Sequence, residues 1–458
     1  MTNSAPSTRL PLDARAAPFE TARRVVPSGD PGAFLRAMEG QPRGFWARGP
    51  RWAAHGGILG EVTAPGGSGR YREVARRAER WRSMGDGEEA LRFYGGFSFR
   101  DDHEPGGEWS AFPVALFHLP AVEFDGEGDG PARLRVRVLS QGDPDAARAR
   151  AEAEADRLMV LMAQDGRADG DPEPVPGVIR EGDRSRWMEA VEETIGAIRR
   201  GGISKAVLAR TRDVELERAV PTLHVLLALW SQHPRTHAFL FEPRPGVLLL
   251  GAAPEALATL RDGMVTATAV AGSVRRGSDS REDEVLAREL LESRKDREEH
   301  RVVVEDMVAR LTPLAGPVTA QPEPHILTLA RIQHLETEIE APAPDGLSVL
   351  ELVEALHPTP AVCGVPRDAA LAFLLDAEPF QRGWYAGPVG WFDTEGEGHF
   401  VPALRTAVGD GRRWRLFAGA GIVEGSRPSL EWEETGIKFL PVLRALADSG
   451  AVLDGEGR

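Results

Sequence analysis

The pattern of apolar and polar positions divides the chain into two parts. From about residue 17 to residue 140, short runs such as ARLRVRVL at 132–139 alternate apolar and polar residues, which predicts β-strands, and glycines separate the runs. Residues 71–84 and 143–163 instead have the composition and spacing of helices. The polar, proline-containing stretch at 168–176 is typical of a solvated linker. The first part is therefore expected to be mainly β-structure, closed by a charged helix and the linker.

After the linker, helical and strand patterns alternate more densely. Asp183 can cap a helix with an apolar stripe at 187, 191, 195 and 198, and Gly201 and Gly202 end it. The remaining patterns predict helices at 222–230, 279–311 and 349–356, and strands at 203–210, 238–241, 247–251, 266–273, 332–339, 387–392, 399–407 and 414–420.

The segment AGAGIVEGSRPSLEWEETGIK near the C-terminus combines glycines with charged residues. Gly419 and Gly421 allow backbone to approach a ligand closely. Glu431, Glu434 and Lys438 fall on one stripe of the helix that follows. Two carboxylates and an ammonium on one face suit a metal ion that holds an anionic substrate. An exposed helix face with charge pairs has the same pattern, and these three residues alone favour that second interpretation.

Two charged residues lie on strongly apolar strands. Lys205 shares a face with Val207 and Ala209, where a lysine fills space poorly; it is either a functional amine or a strand-end lysine that extends to water. Glu255 follows the apolar strand at 247–251. A carboxylate delivered by a buried strand tends to have a raised pKa and can act as a general acid.

Two further polar residues lie within predicted strands. Arg405 falls in the middle of the strand at 399–407, and a buried arginine requires a partner, for which a substrate carboxylate is suitable. His334 falls in the strand at 332–339. A single histidine in such a position is more often a structural group than a catalyst.

Composition narrows the class of protein. With 458 residues, the chain can form a large core and one to three domains. Its net charge of −15 argues against a nucleic-acid binder, which would have a basic surface. The single cysteine, Cys363, excludes an intrachain disulfide framework and fits a reducing compartment. Neither a membrane span nor a secretory leader is evident, so we expect a cytoplasmic protein with a frayed tail at 1–15.

Nine motifs in order resemble the chorismate-utilising enzymes, the family that includes anthranilate synthase component I, and within it most closely the isochorismate synthases. The motifs extend from about residue 183 to residue 450, so that together they are far more specific than any one of them. They are ISKAVLAR, GAAPEAL, TATAVAGSVRRG, SRKDREEHRVVVEDM, ARIQHLETEI, ALHPTPAVCG, EPFQRGWYAGPVGW, PALRTA and AGAGIVEGSRPSLEWEETGIK.

The resemblance implies an α+β fold in which two large antiparallel β-sheets form a sandwich flanked by helices, with the active site in a cleft between them. It divides the chain into the tail at 1–15, a β-rich N-terminal portion of the same unit at 16–176, and a chorismate-binding catalytic portion at 177–450. No internal repeat is apparent.

The resemblance also implies a magnesium-dependent reaction in which chorismate becomes isochorismate. Water adds at C2 with Lys205 as general base, and the C4 hydroxyl leaves with Glu255 as general acid. Mg²⁺ is expected on Glu299 and Glu434, with Glu431 binding it directly or through water. The residues expected to bind or surround the substrate are Gly272, Ser273, His334, Ala361, Tyr385, Arg405, Gly419, Gly421 and Lys438.

Two positions distinguish activities within the resemblance. Ala271 stands where one type of aminodeoxychorismate synthase has a nucleophilic lysine, and Ala361 stands where anthranilate and salicylate synthases have threonine. Salicylate synthase, which also eliminates pyruvate, and a non-catalytic chorismate-binding homologue remain the alternatives. Chorismate is the expected partner, with no nucleic acid, membrane or glutaminase subunit, and the chain is expected to be a monomer. The product could supply menaquinone, siderophore or salicylate synthesis.

Overall fold

Two β-sheets built from both halves of the chain frame the computed structural model. It describes residues 16–84, 87, 89–164 and 172–454. The predicted tail at 1–15 lies outside the described residues, as does the predicted linker up to residue 171. The linker's last two positions already belong to a strand that begins at Val175. Strands from before and after the linker pair directly, for example Trp46 with Phe239.

Within the described residues, the first sheet contains thirteen strands, which are antiparallel except for one parallel pair. In spatial order they are β1 (Phe19–Val26), β8 (Ala132–Leu139), β7 (Val122–Glu127), β3 (Arg51–Gly56), β2 (Arg43–Arg48), β11 (His237–Arg244), β12 (Val247–Ala253), β21 (Thr406–Gly409), β22 (Arg413–Ile422), β10 (Lys205–Leu216), β9 (Val175–Glu181) and β23 (Ala451–Asp454), with β18 (Gly364–Val365) also on β10.

The second sheet contains ten antiparallel strands within the same described ranges. In spatial order they are β15 (Thr319–Ala320), β17 (Ile332–Pro342), β14 (Met264–Arg275), β13 (Ala258–Arg261), β20 (Gly398–Pro402), β19 (Pro388–Asp393), β5 (Arg92–Phe97), β6 (Ala115–Leu119) and β4 (Gly60–Thr63), with β16 (His325–Thr328) also on β17. The predicted α+β sandwich of two large sheets is confirmed.

Ten helices in the described residues pack against the two sheets. They are α1 (Pro31–Ala37), α2 (Arg70–Ala78), α3 (Pro144–Gln164), α4 (Arg184–Arg199), α5 (Thr222–Gln232), α6 (Ser280–Glu292), α7 (Arg294–Leu311), α8 (Val349–Leu356), α9 (Arg367–Ala377) and α10 (Pro428–Asp448), with 3₁₀ turns at Glu79–Trp81 and Gly107–Trp109. None of these described helices combines the length and apolar character that crossing a membrane requires.

Apolar side chains form a core layer between the sheets. Phe241 of the first sheet stacks on Trp384, with ring centroids 5.6 Å apart. Trp384 also packs against Phe112, and its indole N–H donates to the carbonyl of Pro113 at 2.7 Å, which satisfies its polar atom in the core. Two further apolar clusters fill the spaces between each sheet and its helices.

Two predicted elements differ from the structure. Residues 399–407 were expected to form one strand, but β20 and β21 belong to different sheets, and the chain crosses between them at 403–405. Arg405 is therefore not in mid-strand, and its left-handed φ of 52° turns the chain across the gap. The helical region at 279–311 is two helices, because Ser293 ends α6 and caps α7.

Candidate active site

A cavity of about 380 Å³ has walls from both sheets and from α7 and α10. It brings together nearly all of the residues that the sequence singled out. Those that line it are Lys205, Glu255, Gly272, Ser273, Glu299, His334, Ala361, Arg405, Gly419, Gly421, Glu431, Glu434 and Lys438. Tyr385 is the exception: it is buried behind the wall, and its hydroxyl lies 3.0 Å from the point where a Cβ on Gly419 would be.

Lys205 begins β10, so its side chain projects from the strand end into the cavity. It is only 3% exposed, and its Nζ donates to Oε1 of Glu299 at 2.9 Å. Burial alone would make Glu299 harder to ionise, but the charges of Lys205, Lys295 and Lys438 outweigh that effect and lower its pKa below the usual value. The two residues therefore form a buried ion pair on one wall.

Helix α10 supplies the acidic wall of the cavity. Lys438 donates to Oε1 of Glu434 at 2.5 Å, one helical turn away, and to the carbonyl of Gly419 at 2.9 Å. Glu431 lies in the first turn of α10 and is buried. Burial, together with the neighbouring charge of Glu434, raises the pKa of Glu431 to about 7. An additional positive charge in this place would relieve the repulsion between the two carboxylates.

Glu255 lies where the chain crosses from β12 in the first sheet to β13 in the second. It is 6% exposed, and burial raises the pKa of its carboxyl to about 8 even though Arg405, Lys205 and Lys438 favour the ionised form. A carboxyl with this pKa carries a proton at neutral pH and can donate it. The crossing therefore places a neutral acid in the same cavity as the Lys205 amine.

Arg405 and His334 form a hydrogen-bonded unit. Burial, followed by the charges of Arg405 and Lys438, lowers the pKa of His334 well below its usual value, so the imidazole is neutral. Its Nδ1 lies 3.2 Å from the carbonyl oxygen of Gly272 and its Nε2 lies 3.2 Å from Nη2 of Arg405. Since arginine can only donate, Nε2 accepts and Nδ1–H donates to the carbonyl. His334 thus orients the guanidinium toward the cavity.

Gly272 and Ser273 shape the wall at the β14–β17 pair. The register of this pair shifts between Ala271 and Ser273, and Gly272 has a φ of 75°. A β-bulge of this kind redirects the neighbouring side chains. The hydroxyl of Ser273 donates to Oε1 of Glu434 at 3.5 Å and lies 3.1 Å from Nδ1 of His334.

Sequence reasoning gave no role to two cavity residues on α7. Lys295 lies 4.0 Å from Oε1 of Glu431, and the pKa of Asp296 is raised, first by burial and then by the nearby carboxylates of Glu299 and Glu434. They precede Glu299 by four and three residues, which places them on the same face of α7. This spacing is the sequence feature from which their place beside Glu299 could have been predicted. Contact with Glu431 depends on how α7 and α10 pack, which local spacing does not contain.

The donor chemistry fits a hard divalent cation only when other oxygens contribute. No three His, Cys, Asp or Glu side chains in the described ranges are arranged to hold a metal by themselves. Glu299, Glu431 and Glu434 nevertheless line one cavity, and burial, followed by the like charge of Glu434, raises the pKa of Glu431. Mg²⁺ characteristically takes one or two protein carboxylates and completes its octahedron with water and substrate oxygens. The residues present fit such an ion.

Comparisons with known proteins agree on one family. The family model described as chorismate binding enzyme matches residues 18–447. The isochorismate synthase MenF of Bacillus subtilis is 33% identical over 391 residues, which are 83% of this chain and 82% of that protein. The salicylate biosynthesis isochorismate synthase of Pseudomonas aeruginosa is 40% identical over 287 residues, but the match covers 62% of this chain and only 60% of that protein.

Solved structures give the same result for the fold. The menaquinone-specific isochorismate synthase MenF of Escherichia coli has a TM-score of 0.76 and 25% sequence identity, with 94% of this chain and 95% of that chain covered. The 2,3-dihydroxybenzoate-specific isochorismate synthase DhbC of Bacillus anthracis, described as putative, has a TM-score of 0.75 and 26% identity, and all of that chain is covered.

Proposed function

The chain belongs to the family of chorismate binding enzymes, and on that premise we propose that it is a magnesium-dependent isochorismate synthase. The reaction transfers no group to or from the protein. Water adds to C2 of chorismate, the C4 hydroxyl leaves as water, and the ring double bonds shift between these carbons. Relatives that carry this name in Bacillus subtilis and Escherichia coli support the proposal.

One observation carries the proposal: an amine and a protonated carboxyl line the same cavity. Lys205 is the proposed general base: once it has given up the ammonium proton that it shares with Glu299, its amine accepts a proton from the attacking water as the oxygen bonds to C2. Glu255 has a pKa of about 8, and it donates its proton to the departing C4 oxygen. In such a reaction the acid must be protonated at the working pH while the base is free to accept a proton. Burial keeps Glu255 protonated by raising its pKa.

Positive charge in the same cavity is proposed to anchor the substrate carboxylates. Arg405, oriented by His334, and Lys438, held by Glu434 and the Gly419 carbonyl, are the cations that we propose for this role. A guanidinium binds a carboxylate with two parallel hydrogen bonds, so it also fixes the plane of the group. The ring is thereby held with C2 toward Lys205 and C4 toward Glu255.

Glu299 and Glu434 are the proposed protein ligands of Mg²⁺, and Glu431 contributes directly or through water. When bound, the ion supplies the positive charge that lets a substrate carboxylate lie among three glutamates. The carboxylates are themselves held in position: Ser273 and Lys438 contact Glu434, and Lys205 contacts Glu299.

Product analysis tests the proposal and its alternatives. Purified protein is incubated with chorismate and MgCl₂, the products are separated by chromatography, and pyruvate is assayed in parallel. Isochorismate without pyruvate is the expected result. Salicylate with equal pyruvate would instead identify a salicylate synthase, and chorismate binding without turnover would identify a non-catalytic homologue. We propose that the product enters menaquinone or siderophore synthesis in the cytoplasm; for the pathway, the names of a menaquinone-specific and a vibriobactin-specific isochorismate synthase support this proposal.

A further inference from the structure

Two charged residues of the EPFQRGWYAGPVGW segment are buried beside the cavity although the reaction does not use them. The side chains of Glu378 and Arg382 are 5% and 3% exposed. They form a two-point ion pair, with Nε to Oε2 at 2.8 Å and Nη2 to Oε1 at 2.5 Å. Removing two charges from water is costly, and it is offset only when the remaining polar atoms are also satisfied.

The ion pair also binds the strand that begins with Lys205. The atoms are two that also take part in the ion pair: Nη2 of Arg382 donates to the carbonyl of Val207 at 2.5 Å, and Oε1 of Glu378 accepts from the amide of Ala209 at 2.8 Å. This stretch of the β10 edge lies between two short ladders, because β18 pairs with residues 205–206 and β9 pairs with residues 212–216. The ion pair therefore takes the place of a neighbouring strand.

Arg382 also holds a second part of the cavity wall. Its Nη1 donates to the carbonyl of Val362 at 2.8 Å, and the preceding residue, Ala361, lines the cavity. One guanidinium thus joins β10 to the segment around Ala361. Its planar fork reaches these acceptors together with Glu378, which a lysine ammonium on a flexible chain cannot reproduce.

We propose that Glu378 and Arg382 are positioning residues, which fix Lys205 and the Ala361 wall relative to each other for water addition. The inference rests on the proposed function. Lys205, Val207 and Ala209 project from one face of β10, so a shift of the backbone at 207–209 moves the Lys205 amine by a similar distance. A displacement of about 1 Å in a reacting group can reduce the rate roughly 100-fold.

Arg382→Lys tests the proposal, because it keeps the charge and removes the fork. We expect kcat for isochorismate formation to fall roughly 10- to 100-fold, while KM for chorismate stays within about threefold, because Arg405 and Lys438 are untouched. Hydrogen exchange should accelerate about tenfold or more in peptides that cover 203–210 and 359–364. Glu378→Gln keeps an acceptor for the Ala209 amide and should show the same changes to a smaller extent.

Arg415→Lys is the matched control. Arg415 pairs with Asp213 on the same strand β10, at 2.7 and 3.0 Å, and with Glu108 at 2.6 Å, but it does not line the cavity. It should lower stability without changing kcat. Equal effects of Arg382→Lys and Arg415→Lys on kcat would overturn the proposal, as would unchanged exchange at 203–210.

Hydrogen exchange separates failure of this inference from failure of the proposed function. If wild-type protein produces no isochorismate, the proposed function is wrong. Accelerated exchange at 203–210 in Arg382→Lys would still show that the tether, meaning the contacts of Glu378 and Arg382 with β10, holds this strand. If neither variant folds, the hydrogen-exchange rate of the Ala209 amide in the wild-type protein decides whether Glu378 holds β10. Protection as strong as that of the sheet-paired amides of β10 supports the tether, and rapid exchange overturns it.

Discussion

The Oε1 atom of Glu299 lies 2.6 Å from the point where a Cβ on Gly421 would be, and Cε of Lys205 lies 3.0 Å from the same point. Gly421 pairs with Val207 in the β10–β22 ladder, so its backbone cannot move away without breaking sheet hydrogen bonds. The Lys205–Glu299 ion pair therefore depends on the absence of a side chain at residue 421.

Gly421→Ala should abolish most activity while the protein stays folded. The added methyl group must displace the ends of two flexible side chains rather than backbone, so the melting temperature should change little. Displacement of the proposed base and of a proposed metal ligand should reduce kcat/KM roughly 100-fold or more. Initial rates with chorismate and thermal unfolding of the same preparation measure both effects.

Gly425→Ala provides the control for this change. A Cβ at residue 425 meets no atom within 4 Å, and the residue belongs to the same glycine-containing segment. Its activity should match the wild type. If both alanine variants lose activity equally, the effect comes from segment flexibility, and the steric argument for Gly421 is wrong.

Lys205→Gln should prevent water addition while a side chain of similar size still fills this part of the cavity wall. An alanine here would leave Glu299 buried without its ion-pair partner, whereas glutamine keeps an N–H donor toward Oε1 of Glu299. Loss of a general base reduces rates by about 10²- to 10⁴-fold. We expect kcat to fall by that range and chorismate affinity, measured by calorimetry, to change by less than about tenfold. Near-normal turnover would show that another group accepts the proton.

Glu434→Gln should weaken magnesium and substrate binding together. Glu434 lies among Ser273, Lys438 and Glu431. Its charge therefore helps to bind the proposed Mg²⁺ and to hold Lys438, which is proposed to bind a substrate carboxylate. Calorimetric titration with Mg²⁺ in the presence of chorismate should give a dissociation constant at least about tenfold higher. Glu424→Gln removes an exposed carboxylate of the same segment and should leave the titration unchanged.

Local sequence was sufficient for residues whose positions follow from one element. The 3.6-residue period placed Glu431, Glu434 and Lys438 on one face of α10, and the ion pair between the last two has the expected i,i+4 geometry. Likewise, the apolar strand before Glu255 indicated a buried carboxyl, and burial does raise its pKa. That these elements share a cavity came from the family resemblance rather than from periodicity.

Contacts that depend on tertiary packing could not be predicted. The residues around Arg405 alternate like a strand, and only the crossing between sheets requires a positive φ there. The Arg382 contacts with Val207 and Val362 join segments 175 and 20 residues away in sequence, and no local pattern encodes them. Tyr385, likewise, was expected to line the cavity, but it is buried behind Gly419.

Glu255 should give both activity and stability a characteristic pH dependence. Burial raises its pKa from 4.5 to about 8. Between these two values the folded protein keeps a proton that the unfolded chain releases, so the free energy of unfolding falls as pH rises, by on the order of 5 kcal/mol, and then levels off. The acid form is also required for the reaction, so kcat/KM, which reports the ionisation of the free enzyme, should decline as pH rises through about 8.

Glu255→Gln separates these two consequences. The amide cannot donate a transferable proton, so turnover should fall about 10²- to 10⁴-fold below pH 8, where the wild type holds the acid form. Its stability should no longer depend on ionisation at this residue, and relative to wild type the variant should become more stable as pH rises from about 5 to about 8.5. Urea unfolding of both proteins at these two pH values measures the difference. A constant difference in stability would mean that Glu255 ionises in the folded protein as it does in water, and it could not then serve as the acid.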